Sequence, residues 1–230
     1  MVCCLLCFSD DPIEGDKYGQ NPNTFQVSLK DAACAEPACC IGTFFCPCCA
    51  QYYIRKKALN DDMSNYTCCQ GYYDCACFKA GNLGESSCPE LCLCLEAYCC
   101  ESCAVSSTRM LVMDTYMLAS DPWDRRIIRF NNFCQVLSCV CQILAMVEPS
   151  LQDCAELIRL IAECVYYSVQ ACMTSQVHHE LKYQADKGGV GGPAGGGGST
   201  VVAQPVTAQP AYATAYPQGG APPAYPTMAR

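Results

Sequence analysis

The sequence predicts a mostly α protein: a small cysteine-rich bundle of about four helices with an irregular cysteine-rich connector and a disordered C-terminal tail. Three observations predict it. Apolar residues recur at helical spacing in the second half, at Leu151, Cys154, Ile158, Ile161, Val165, Val169 and Cys172. Proline stands where a first helical turn accepts it, at Pro47 and at Pro122 behind the capping residue Asp121. Glycine and proline gather at the C-terminus, so one domain of roughly 180 ordered residues plus a tail is expected. The chain divides into an N-terminal patch and flexible linker (1–30), a helical domain (31–183) and a disordered tail (184–230).

Residues 1–8 are apolar and cysteine-rich, whereas 9–30 are polar with Gly15, Gly19 and Asn21-Pro22 as turn signals, which reads as a flexible linker. A cysteine cluster follows from Cys34 to Cys49. A first helix is expected from Pro47 to Leu59, with Arg55, Lys56 and Lys57 complementing the partial negative charge of its C-terminal end. Residues 61–87, with Cys68, Cys69, Cys75 and Cys77, have no strand periodicity and read as the connector. A second helix runs from Cys88 to about Leu118, stacking Cys92, Cys99 and Cys103 on one face. Asp121, Pro122 and Asp124 start a third, which reaches Val147. Glu148-Pro149 stops it, and Ser150 with Asp153 forms a variant capping box for a fourth. Its apolar stripe reads as core packing, with Cys154, Cys164 and Cys172 as small core residues. From Gly188 the glycine run and the Gln-Pro, Tyr-Pro and Pro-Pro steps read as spacer and extended tail.

Cysteine occupies 25 of 230 positions, which forces a choice between disulfides, bound metal and acylation. The formal net charge is −8 with 14 Lys plus Arg, which argues against a nucleic-acid partner because that affinity rests on clustered basic side chains. Met1–Phe8 has no basic residue before its apolar run and meets Asp10-Asp11, so no signal peptide is read. The cytosolic side, where thiols stay reduced, is therefore expected, and an odd cysteine total cannot pair completely within one chain. Two stretches, 37–54 and 130–147, carry no formal charge and approach the length of a membrane span. The first has a proline in its middle. The second contains Asn131, Asn132, Gln135, Ser138 and Gln142, which are costly against lipid unless buried in protein.

Chemistry-bearing motifs are few. Of three Cys-x-x-Cys pairs, Cys46/Cys49 and Cys100/Cys103 could supply four thiolates to a tetrahedral zinc, the one cofactor the sequence suggests. Cys3, Cys4 and Cys7 suit S-acylation on an exposed apolar terminus, where two or three chains anchor stably and one does not. Val2 excludes myristoylation. Lys56 and its basic neighbours could add attraction to anionic lipid. His178 and His179 read as complements to a helix end, and no catalytic constellation or phosphate loop is present, so no enzyme is expected. In the tail, Pro222-Pro223-Ala224-Tyr225 matches the Pro-Pro-x-Tyr ligand of WW domains.

Cys39-Cys40-x5-Cys46-Pro47-Cys48, with Cys99-Cys100-x2-Cys103-Ala104-x4-Arg109 downstream, resembles the placenta-specific-eight cysteine-rich family, which includes cornifelin, plant cell-number regulators and plant cadmium-resistance proteins. The match covers about residues 34–112. The resemblance implies a small membrane-associated protein, linked in several members to organ or cell size or to divalent metal tolerance, with Cys39, Cys40, Cys46, Pro47 and Cys48 as signature positions. The leading expectation is a membrane-associated regulatory or adaptor protein on the cytosolic face, with the plasma membrane as its site, lipid and WW domains as partners, and self-association compatible with both. The alternative is divalent metal binding, tolerance or transport, with zinc or cadmium as cargo.

Overall fold

The computed structural model describes residues 17–73, 80 and 84–189. Four of the seven helices among them start with proline at the first or second position, where its fixed φ suits the helix and its missing N–H costs nothing. In chain order they are α1 (Ala32–Ala35), α2 (Pro37–Phe45), α3 (Pro47–Ala58), α4 (Pro89–Cys99), α5 (Glu101–Tyr116), α6 (Pro122–Val147) and α7 (Gln152–Gly189). Two short strands, β1 (Asn23–Thr24) and β2 (Leu118–Ala119), pair in parallel. The mostly α, cysteine-rich fold is as expected. Its spine is α7, which packs against α1, α2, α3, α5 and α6.

The segment read as a linker is part of the core from Lys17 onward. Asn21 and Asn23 donate side-chain hydrogen bonds to the Leu118 and Tyr116 carbonyls, and the Gln26 N–H donates to Glu180. Leu29 is fully buried among Val105, Val169 and Met173. Two apolar anchors, Phe25 and Leu29, outweigh the polar composition around them. At the other end α7 continues to Gly189, past the expected domain end at 183.

The helix expected from Cys88 to Leu118 is two helices broken at Cys100, which adopts φ −138°, ψ 55°. The break serves Arg55 on α3. Its guanidinium donates to Glu96 on α4 at 2.9 Å, to the Ala104 carbonyl at 3.0 Å, to Thr108 on α5 at 2.7 Å, and to Ser107. In one straight helix, Glu96 and Ser107 would lie about 16 Å apart along the axis, beyond one guanidinium. Cys92, Cys99 and Cys103 consequently do not share a helix face. A similar corner at Cys46 (φ −140°, ψ 72°) splits the uncharged run 37–54 between α2 and α3, so it is not one continuous span.

The core has three apolar clusters: Phe25, Ile54, Val112, Met113, Leu118 and Val177; Leu29, Val105, Val169 and Met173; and Leu59, Tyr66, Leu93 and Leu111. A polar seam runs between them. Gln51 donates to Thr174 at 2.6 Å and accepts from Thr108, which links α3, α5 and α7. Arg109 on α5 reaches Asp124 on α6 at 2.5 Å and lies over the Phe25 ring. Asp121 caps α6 as expected, and Asp124 in its first turn reaches back to the Asp121 N–H, which makes the pair a capping box. The cap at the next corner differs from expectation. Glu148, not Ser150, accepts from the backbone, and a short 3-10 turn (Pro149–Leu151) leads into α7.

Candidate membrane-docking face

Helix α6 is turned inside out relative to a helix of a water-soluble core. Its buried residues are Asp124, Asn131, Cys134 and Ser138, whereas Val136, Leu137, Val140, Ile143, Leu144, Met146 and Val147 are exposed, the last two by 84% and 80%. Water-facing helices show the opposite arrangement. α6 is the one helix among the described residues long and apolar enough to cross a membrane, and only 17% of its most apolar 18-residue window is buried. Two of its polar residues serve the contact with α7, whereas Asn132 is exposed. Gln135 donates to the Ala162 carbonyl at 2.8 Å and Gln142 to the Ala155 carbonyl at 3.1 Å. Ala155 and Ala162 are the buried residues of the facing turns, small enough for close approach. Small residues at the seam with amide side chains as glue are how helices associate where lipid removes the hydrophobic drive.

The first half of α7 has two faces of its own. Glu156, Arg159 and Glu163 form one ridge, joined by Arg159 to both carboxylates at 2.5 Å. Leu157, Leu160 and Ile161 form another ridge, exposed and apolar. The expected core stripe is therefore corrected here: Leu151, Ile161, Cys154 and Cys164 are exposed, and the buried line is Ala155, Ala162 and Val169. The alanines win because α6 approaches closely through its glutamines. The apolar surface continues onto α2, where Ile41, Phe44 and Phe45 are exposed and Phe44 meets Tyr167 edge-on at 6.4 Å. On α4, Leu91, Leu95 and Tyr98 are exposed along one side.

At the base of α6 the character changes. Trp123 is exposed with Lys30 and Arg126 stacked on its ring at 5.0 and 5.4 Å; Arg125 shares its turn and Arg129 lies further along the helix. An indole among basic side chains beside an uncharged apolar stretch is the composition of a membrane–water boundary. Lys56 has no part in this face: it pairs with Glu90, Lys57 pairs with Asp61, and Arg55 is buried.

The signature cysteines spread over two places. Cys39 and Cys40 lie on α2 near α7, where burial pushes the Cys39 thiol up and Cys40 meets Cys172. Cys46 caps α3 and precedes Pro47 at the first helical position; against the expectation of reduced thiols throughout, it is bonded to Cys49 as a disulfide within one helical turn. The Cys48 thiol approaches the Ala97 carbonyl of α4 at 3.5 Å and is pushed up by burial and by Glu101. Of the expected zinc quartet, Cys46 and Cys49 are paired with each other at the start of α3, while Cys100 is exposed at the α4–α5 corner and Cys103 is half-buried on α5. Among the described residues one group alone brings three metal-capable side chains within 4.8 Å of one another, namely Cys68, Cys69 and Glu96. In the sequence Cys68 and Cys69 fall in the connector without an assigned role, and Glu96 is not among the candidate ligands. A signal existed in Glu96, a charge inside the apolar run Leu-Cys-Leu-Glu-Ala.

Burial and the Glu96 charge push the Cys68 thiol up to about 11 and Cys69 higher still, so neither is primed as a nucleophile. His178 and His179 do not complement a helix end. Both face Glu36, which also accepts from Lys182 at 2.9 Å. Cys3, Cys4, Cys7, Pro222, Pro223 and Tyr225 lie outside the described residues. Comparisons with family models, curated proteins and solved structures find no match, so the likeness to the placenta-specific-eight family rests on its motifs alone.

Proposed function

We propose that this chain is a membrane-associated cysteine-rich adaptor or regulator whose α6–α7 hairpin lies in the headgroup and acyl boundary of the cytosolic leaflet of the plasma membrane. The observation that carries the reading is the inverted α6, polar toward α7 and apolar outward. A shallow placement accounts for more than a crossing one. Were α6 to cross, Glu156, Arg159 and Glu163, packed beside its uncharged half, would enter the hydrocarbon at a cost of a few kcal/mol each. Lying flat, their ridge faces water while Leu157, Leu160 and Ile161 face lipid with α6. Trp123, Lys30 and the α6 arginines then sit at the anionic surface.

Twelve large apolar side chains from Phe130 to Ile161 are exposed on the hairpin. If half of them insert, each contributing on the order of 1 kcal/mol, the gain is comparable to one myristoyl chain, which binds reversibly. Stable attachment then calls for a second anchor, and acylation of Cys3, Cys4 and Cys7 supplies it. The tail adds the adaptor function by offering Pro222-Pro223-Ala224-Tyr225 to a WW domain. Cell fractionation and flotation with vesicles test the reading. The chain should float with liposomes containing phosphatidylserine, and hydroxylamine should release acyl chains and shift a fraction to the soluble pool. A lipid-independent dimer that buries α6, or a wholly soluble chain, would overturn it.

A further inference from the structure

We propose that Cys68, Cys69 and Glu96 form a binding site for a soft divalent cation, zinc or cadmium, between the connector and helix α4. The site does not depend on membrane docking, and it is distinct from the quartet of Cys46, Cys49, Cys100 and Cys103. Two adjacent side chains in extended backbone point to opposite sides. Here the turn at Cys68–Gly71 prevents that: Cys69 and Gln70 hold φ of 47° and 48°, a left-handed conformation uncommon for residues other than glycine. Both sulfurs are thereby brought within 4.8 Å of each other and of one Glu96 carboxylate oxygen.

The turn is held from several sides. The Cys68 N–H donates to Glu85 at 3.1 Å, the Cys69 N–H donates to Glu96 at 2.7 Å, and the Thr67 N–H donates to the Gln70 side chain at 3.0 Å. Left-handed backbone at two non-glycine residues costs of order 1 kcal/mol or more each, so a rigid surround maintains it. Glu96 is oriented the way metal-ligating carboxylates are. Arg55 grips its Oε1 at 2.9 Å, while its Oε2 accepts from the Tyr66 hydroxyl at 2.9 Å and from the Cys69 N–H. Ligation through Oε2 replaces the Tyr66 bond and leaves the Arg55 bond in place.

The donor set selects the ion. Two thiolates and one carboxylate suit zinc and cadmium, and exclude magnesium and calcium, which take oxygen alone. Water completes the coordination of an ion held by these three side chains. Binding forms two metal–thiolate bonds, releases two protons to solvent and changes no oxidation state.

The test uses the full chain, purified anaerobically and titrated with cadmium chloride. Alkylation followed by peptide mass spectrometry reads which thiols the first equivalent shields, and the thiolate-to-cadmium ultraviolet band reads affinity. The expected result is protection of Cys68 and Cys69 with Cys139 and Cys154 left reactive, and at least a tenfold weaker first equivalent in Cys68→Ser/Cys69→Ser but not in Cys100→Ser/Cys103→Ser. The wild-type protection pattern stands whether or not the variants fold. Protection spread evenly over the thiols, or centred on Cys100 and Cys103, would overturn the site.

Discussion

Replacing Val140 and Leu144 by glutamate separates membrane docking from folding. The two side chains stack one helical turn apart on the outer face of α6 and are 46% and 51% exposed. Burying a Val or Leu side chain fully is worth about 1.5–3 kcal/mol, so the half left open offers lipid about 1 kcal/mol per residue. Losing both removes about 2 kcal/mol, or roughly 30-fold in partitioning. Two carboxylates at the acyl boundary carry the loss past 100-fold, because each costs more than 1 kcal/mol there. The contacts each side chain makes within the protein are worth a similar amount, so stability should fall by no more than about 2 kcal/mol, or roughly 5 °C in Tm. Cosedimentation with phosphatidylcholine–phosphatidylserine vesicles reads binding, and a far-ultraviolet circular dichroism melt reads folding. A variant that melts near the parent and binds vesicles within threefold of it would refute the argument.

Four further outcomes follow from particular contacts. Arg55→Met should cost about 3–5 kcal/mol in urea unfolding by leaving the Glu96 carboxylate buried without its cation, and the added Glu96→Leu change should recover much of the loss. Asp124→Asn should cost about 3 kcal/mol or more and free the base of α6, read as faster amide exchange over its first two turns, because Arg109 loses its partner. Gln142→Leu should cost about 1 kcal/mol and Ala155→Leu about 1–3 kcal/mol, the second by forcing α6 and α7 apart. The hydrogen bond from Lys182, with help from His179, holds the Glu36 carboxyl below its ordinary value of 4.5, so folding disfavours its protonation. Its contribution is therefore present above pH 4.5 and lost as pH falls further, and Glu36→Gln should flatten the stability profile in that acid range.

Local signals were legible where local chemistry decides. Asp121-Pro122 with Asp124 announced the start of α6, and Pro47 the start of α3, because caps and first turns need only neighbours in sequence. The break at Cys100 was hidden, since its cause is the reach of Arg55 from another helix. Residues 17–30 misled through their polar majority, while Phe25 and Leu29 alone fasten them to the core. In α7 the bulky residues drew the eye to a core stripe, although close helix approach buries alanine instead. The apolar outer face of α6 was half visible: Asn131, Gln135, Ser138 and Gln142 fall at helical spacing on one side of an uncharged run, which leaves the other side apolar. The group of Cys68, Cys69 and Glu96 joins residues far apart in the chain through a left-handed turn that no local pattern announced.

Depth-dependent fluorescence quenching tests the central claim most directly. Trp123 is the only tryptophan, so Trp123→Phe provides a silent background for Val140→Trp and, separately, Glu163→Trp. With vesicles whose lipids carry bromine at shallow acyl positions, the indole introduced at position 140 should shift to the blue and be strongly quenched, while the one at position 163 should stay water-exposed and bright. Equal and weak quenching of both would contradict a hairpin lying with its apolar face in the bilayer. Equal and strong quenching would contradict the shallow placement and favour a helix that crosses.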